Sequence, residues 1–156
     1  MIRLLVLAAT HLGALGSGVA LGIYLLPILT APPSPAVEDI RAVSSSALFK
    51  GRFVRNLKGS DFLHWGEGEV HIGRDRIAHT GSLAPGPDYR LYLTNSFVDN
   101  KEAFLAIKGQ STQIAPIKVF NGFIVAVPVG VDVASYNTVV IWCEAFGQFI
   151  TAAQYK

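Results

Sequence analysis

The chain opens on an unbroken apolar run. Between Leu4 and Leu29 there is no charged residue, and only Thr10, His11, Ser17 and Tyr24 are appreciably polar. As a helix rising about 1.5 Å per residue, this stretch reaches about 39 Å, enough to cross a bilayer with some tilt. The pattern predicts an N-terminal transmembrane anchor over residues 1–30, meeting the membrane through residues 4–29. A cleaved signal peptide is the competing reading, since Arg3 supplies a positive leading region and small residues fall around Gly18 and Ala20. Signal cores usually run about 7–15 residues, shorter than this one. Arg3 precedes the run while Glu38 and Asp39 follow it. The positive-inside rule then gives a single-pass protein of the cytoplasmic (inner) membrane with its C-terminal domain on the periplasmic or extracellular side. Ala14, Gly18 and Gly22 recur every four residues, a spacing that lets membrane helices approach and that is also common in lone spans.

Residues 31–46 read as a tether. Ala31-Pro32-Pro33-Ser34-Pro35 cannot continue a helix and favours a stiff, extended spacer. A short helix is expected over Val37–Val43, with Glu38 and Asp39 in its first turn. From residue 47 to 156 the period becomes two. Phe49, Phe53 and Leu57 alternate with Lys50, Arg52 and Asn56, the mark of a half-buried strand. Further strands are expected at Glu67–Ile72, Arg76–Leu83, Tyr89–Thr94, Phe104–Lys108, Lys118–Val127, Asn137–Cys143 and Phe149–Ala153. Gly73-Arg74-Asp75 suits a hairpin loop, Ala84–Asp88 a Pro/Gly turn, and Asn121-Gly122 a bend or a hairpin. No window sustains an apolar 3.6 repeat. The expected fold is all-β, an antiparallel β-sandwich or partly open barrel behind one N-terminal helix.

Charge narrows the function. Thirteen Lys and Arg against eleven Asp and Glu leave a net charge of +2. The domain is therefore near neutral and lacks the basic face of a dedicated nucleic-acid binder. A single cysteine, Cys143, excludes an internal disulfide framework, a Cys-rich zinc module and an iron–sulfur site. Walker loop, dinucleotide fingerprint and nucleophile elbow are all missing.

Cys143 lies in the run Tyr136-Asn137-Thr138-Val139-Val140-Ile141-Trp142-Cys143-Glu144, whose two faces are both mainly apolar, so it belongs to a central strand. One reading makes it a small buried hydrophobe. The other starts from compartment: outside the cytoplasm an unpaired thiol is hidden or used, as a redox thiol or as a soft ligand to a metal or haem. His64-Trp65-Gly66-Glu67-Gly68-Glu69-Val70-His71 is the second candidate. Glu67, Glu69 and His71 share one strand face and have the chemistry of an N/O metal site, which is also the composition of an ordinary solvated face. His79 is a weaker metal candidate of the same kind. Lys50, Arg52, Arg55 and Lys58 suit anionic head groups near the anchor, or simply a wet strand face.

Gly86-Pro87-Asp88-Tyr89-Arg90-Leu91-Tyr92-Leu93 and the block from Tyr136 to Phe146 resemble the most recognisable blocks of the electron-transfer DM-thirteen domain family. Phe49–Phe53 and Glu67–Val70 are similar to its first strands, and the likeness runs from about Leu48 to Tyr155. The resemblance implies a β-rich domain outside the cytoplasm with a redox role centred on Cys143, as a bare thiol or as ligand to a prosthetic group such as haem. With no companion cytochrome or DOMON domain here, it also implies a redox partner protein in trans. His64 and Trp65 lie outside the family pattern. The competing class is a non-catalytic binding module at the cell envelope, with Cys143 as core packing.

Overall fold

The computed structural model describes all 156 residues, Met1–Lys156. Helix α1 runs from Ile2 to Leu29 with no buried residue. Pro27 sits in its last turn, and the prolines that follow end it. This helix is apolar and long enough to span a membrane. Helix α2, Val37–Ser45, carries Glu38 and Asp39 in its first turn as expected, where a negative charge meets the helix dipole.

Eight strands follow: β1 Phe49–Phe53, β2 Gly66–Ile72, β3 Arg76–Leu83, β4 Tyr89–Thr94, β5 Thr112–Ile117, β6 Asn121–Ala126, β7 Thr138–Cys143 and β8 Gln148–Gln154. They form two four-stranded antiparallel sheets, β1-β2-β3-β6 and β5-β4-β7-β8. β1 runs close to β8, and β5 to β6, so the sandwich nearly closes at both edges. Twenty buried residues fill the space between the sheets, among them Val70, Ile72, Leu91, Val139, Ile141 and Cys143.

Both sheets are also covered on their outer faces. Ile40 and Val43 of α2 pack on Ala78 of β3. On the other side helix α3, Lys101–Ile107, sets Phe104 against Tyr92 and Trp142, with ring centroids 5.3 and 5.0 Å away. With the facing sheet on one side and α3 on the other, all six residues of β7 are buried.

The sandwich agrees with the alternation in the sequence, but the chain is not strictly all-β, since α1, α2 and α3 contribute 28, 9 and 7 residues. The expected strand Phe104–Lys108 is instead helical: Phe104–Ile107 end α3 and Lys108 begins a 3-10 turn. The Asn100 side chain caps this helix by accepting from the Ala103 N–H, and the packing of Phe104 holds it down. β5 was not anticipated: Pro116 interrupts its pattern, and it survives as a strand because β5 is the sheet edge. The run expected from Lys118 to Val127 shortens to β6, and Asn121-Gly122 makes neither a turn nor a hairpin. Gly122 adopts φ +78° where the β3–β6 register shifts, so the bend is a bulge.

Candidate functional site

Cys143 is the last residue of β7, opposite Tyr89, the first residue of β4. The turn before β4 folds back over it. The Glu144 N–H donates to Asp88 O at 3.0 Å, and the Cys143 thiol donates to Pro87 O at 3.0 Å. Cys143 is 2% exposed. Burial pushes its thiol pKa up, with the Asp88 and Glu144 charges adding to the effect against the backbone N–H groups of Phe146 and Ala145. The sulfur is therefore a protonated thiol at neutral pH and not a standing thiolate.

The same residue lines a cavity of about 770 Å³ between α1 and this end of the sandwich. Ser17, Ala20, Leu21, Ile23 and Tyr24 form the helix wall; Leu63, His64, Pro85–Pro87, Tyr89, Phe146 and Ile150 share the domain wall with Cys143. The Tyr89 ring lies over Gly86, which leaves no room there for a Cβ. Burial raises the Tyr89 phenol pKa.

His64 is held from behind. Its Nδ1 lies 2.9 and 2.8 Å from the two Asp61 carboxylate oxygens, while Asp61 also accepts the N–H groups of Leu63 and His64. Burial opposes ionisation of Asp61, but the His64 ring and these N–H groups hold its carboxyl below the ordinary value. A carboxylate only accepts, so the Nδ1 side of the ring donates to Asp61 and Nε2 is left without a protein partner. A neighbouring cavity of about 430 Å³ shares Gly86, Pro87 and Tyr89, and is bordered by Leu26, Pro27, Thr30 and Ala31 and by Asp88, Arg90 and Lys118.

The expected metal trio is not gathered into a ligand set. Glu67 takes both its hydrogen bonds from Arg55, at 2.7 and 3.1 Å, and Glu69 pairs with Lys50 at 2.8 Å. His71 Nε2 stands 3.7 Å from Glu69, and no three His, Cys, Asp or Glu side chains come close enough to hold an ion. Arg55 also lies over the Trp65 ring at 3.3 Å, so Lys50, Arg52 and Arg55 serve a solvated ion-paired face. His79 is fully buried between Phe53 and Phe123. Haem does not fit the Cys143 cavity either. The lining has no Lys or Arg for its propionates, and the thiol that would meet the iron is bonded to Pro87 O.

One polar cluster was missed. On the face of β7 opposite Cys143, the Tyr92 hydroxyl donates to Glu144, and Lys108 Nζ donates to the other Glu144 oxygen at 2.6 Å. Lys108 also sits 5.4 Å from the Trp142 ring. Burial opposes ionisation of Glu144, but Lys108 and Tyr92 hold its carboxyl below the ordinary value. The alternation Trp142-Cys143-Glu144 carried part of this signal; Lys108 was hidden because its segment read as a strand.

Comparison with known proteins identifies a family. The family described as electron transfer DM13 matches residues 56–155, which include His64, Tyr89 and Cys143 and exclude α1. No curated protein and no solved structure matches the chain.

Proposed function

The chain belongs to the electron-transfer DM13 family, and on that footing we propose that it is a membrane-tethered redox domain. In this reading α1 anchors it, the sandwich faces the outer side, and Cys143 with its cavity is the point of electron exchange with a partner. One observation carries the reading: the chain's single thiol, though 2% exposed, borders a cavity of about 770 Å³ and is not sealed between the sheets. Because the thiol is protonated and bonded to Pro87 O, its role is contact with a redox molecule or partner seated there, not nucleophilic attack. A second reading, a binding module with Cys143 as packing, draws on the place of Cys143 in the core cluster.

Two measurements separate them. The first is intact mass of the folded chain during alkylation across pH. The redox reading expects labelling in the folded state, with an apparent midpoint above the free-thiol value of about 8.5; labelling only after unfolding supports packing. The second compares membranes bearing the wild type or Cys143→Ser for reduction of an impermeant external acceptor such as ferricyanide. Undiminished reduction with the serine variant overturns a redox role for Cys143.

A further inference from the structure

We infer that the cavity between α1 and the sandwich binds a neutral, lipid-soluble quinone or quinol that enters from the bilayer. This rests on the proposal above in one respect, that α1 stays attached as a membrane span.

Depth is the first argument. A hydrocarbon core of about 30 Å takes about 20 helical residues. With Arg3 held at the cytoplasmic surface, the span that starts at Leu4 reaches the outer boundary near Ile23. The helix wall of the cavity, from Ser17 to Tyr24, therefore lies in the outer leaflet, with Tyr24 at the interface. The mouth of the cavity opens to lipid.

The domain side matches that depth. Phe62 is 86% exposed, Phe146 55% and Leu63 43%. Leu63 and Phe146 line the cavity. Aromatic and aliphatic tips left bare beside an anchor helix suit insertion into an interface. Towards water, beside Leu26 and Pro27 at the end of α1 and Thr30 and Ala31 just after it, the domain presents Asp88, Arg90 and Lys118 instead. Apart from Asp61 behind His64, the groups beside the deeper part of α1 are mainly apolar and those beside its outer end carry charge, the order a bilayer boundary favours.

Chemistry then selects the occupant. No Lys, Arg, Asp or Glu lines the cavity, which disfavours charged head groups and carboxylated ligands. A plain acyl chain would leave its polar groups unused: Ser17, Tyr24, His64 and Tyr89 all border it. A quinone is neutral and planar, and its carbonyl oxygens accept from the tyrosine hydroxyls. His64, whose ring is oriented by Asp61 through Nδ1, offers Nε2 as a hydrogen-bonding partner to a quinone or quinol oxygen. The volume of about 770 Å³ falls in the ordinary range for small-molecule sites, about 300–1,000 Å³. Cys143, whose thiol keeps its proton and donates it in a hydrogen bond to Pro87 O, does not present the thiolate that would add to the ring.

The test uses the full chain in phosphatidylcholine nanodiscs with an azido-ubiquinone as photoprobe, and peptide mass mapping of the adducts. Expected is saturable labelling on the peptides of Tyr24, Leu63–His64 or Phe146, displaced by decylubiquinone and not by a long-chain alcohol. Ala20→Trp, which fills the cavity from the lipid-facing helix and spares the domain core, lowers labelling by about tenfold. Labelling reads occupancy of the cavity and needs no electron transfer at the thiol, so this outcome is independent of the thiol's redox role. Labelling spread along α1, displacement by the alcohol, or indifference to Ala20→Trp overturns the inference. So does an intact mass showing that α1 has been removed, since the helix wall is then gone.

Discussion

His79 makes folding stability depend on mildly acidic pH. It is 0% exposed, on β3, with the Phe53 and Phe123 ring centroids 5.2 and 5.0 Å away. Its Nε2 lies 3.0 Å from Glu67 O, and its Nδ1 has no partner. The neutral ring satisfies this site by donating from Nε2; a proton on Nδ1 would place an unbonded charge among apolar groups. Burial accordingly lowers the pKa from 6.5 to about 4, against the opposing pull of the Glu67 carbonyl. The unfolded chain takes up a proton near 6.5 while the folded chain refuses it until about 4. Stability is therefore fully present above 6.5 and falls as pH drops through that window. The slope is about 1.4 kcal/mol per pH unit, and the total loss is about 3 kcal/mol. Burial also lowers His71, which adds a smaller slope of the same sign, so the variant His79→Leu isolates the larger one. The assay is equilibrium unfolding of both chains, followed by tryptophan fluorescence, at half-unit steps from pH 7.5 to 4.5. The leucine variant starts lower at pH 7.5, having lost one hydrogen bond, but its curve is flatter. Equal slopes in the two chains would refute the reasoning, because they would mean that the folded core accepts the proton without cost.

Two further predictions concern residues away from the cavity. Gly68 and Gly81 face each other across β2 and β3 with φ of +115° and +150°, and a Cβ on either would sit 2.1 Å from a carbonyl oxygen of the facing strand. Gly68→Ala should cost about 2–4 kcal/mol or abolish folding, as read from thermal melting, and an unchanged midpoint would contradict the close approach. Glu144→Gln keeps the shape but removes the charge held by Lys108 and Tyr92, at a cost of about 1–2 kcal/mol at pH 7. Because the Glu144 pKa is depressed, that difference should vanish as pH falls below the ordinary carboxyl range, and a difference that persists at low pH would remove charge as its cause.

Much of the architecture was legible because it depends on neighbours in the chain. The apolar run became α1, the prolines ended it, and period-two stretches became β2, β3, β4, β7 and β8. The two faces of β7 already marked Cys143 as central. Short elements with weak patterns were not legible. The seven residues of α3 are too few to be stable alone, and Phe104 settles on Trp142 and Tyr92 only once the second sheet exists. β5 tolerates Pro116 because it lies at an edge, a fact about sheet order that no local window contains.

The candidate site divides along the same line. By itself the sequence determined a membrane-length helix, a β-rich domain of near-neutral charge and one unpaired thiol, since these follow from composition and periodicity. It put Glu67, Glu69 and His71 on one face but not their partners. Only the β1–β2 register, which sets Arg52 opposite Glu69 and Lys50 opposite His71, turned that face into ion pairs. The cavity is wholly tertiary. Its walls come from α1, the loop at Leu63–His64, the turn before β4 and the ends of β7 and β8. The domain-side segments, so far apart in the chain, meet only because the sandwich brings them together, and hydrophobic burial, which drives that closure, is blind to sequence separation.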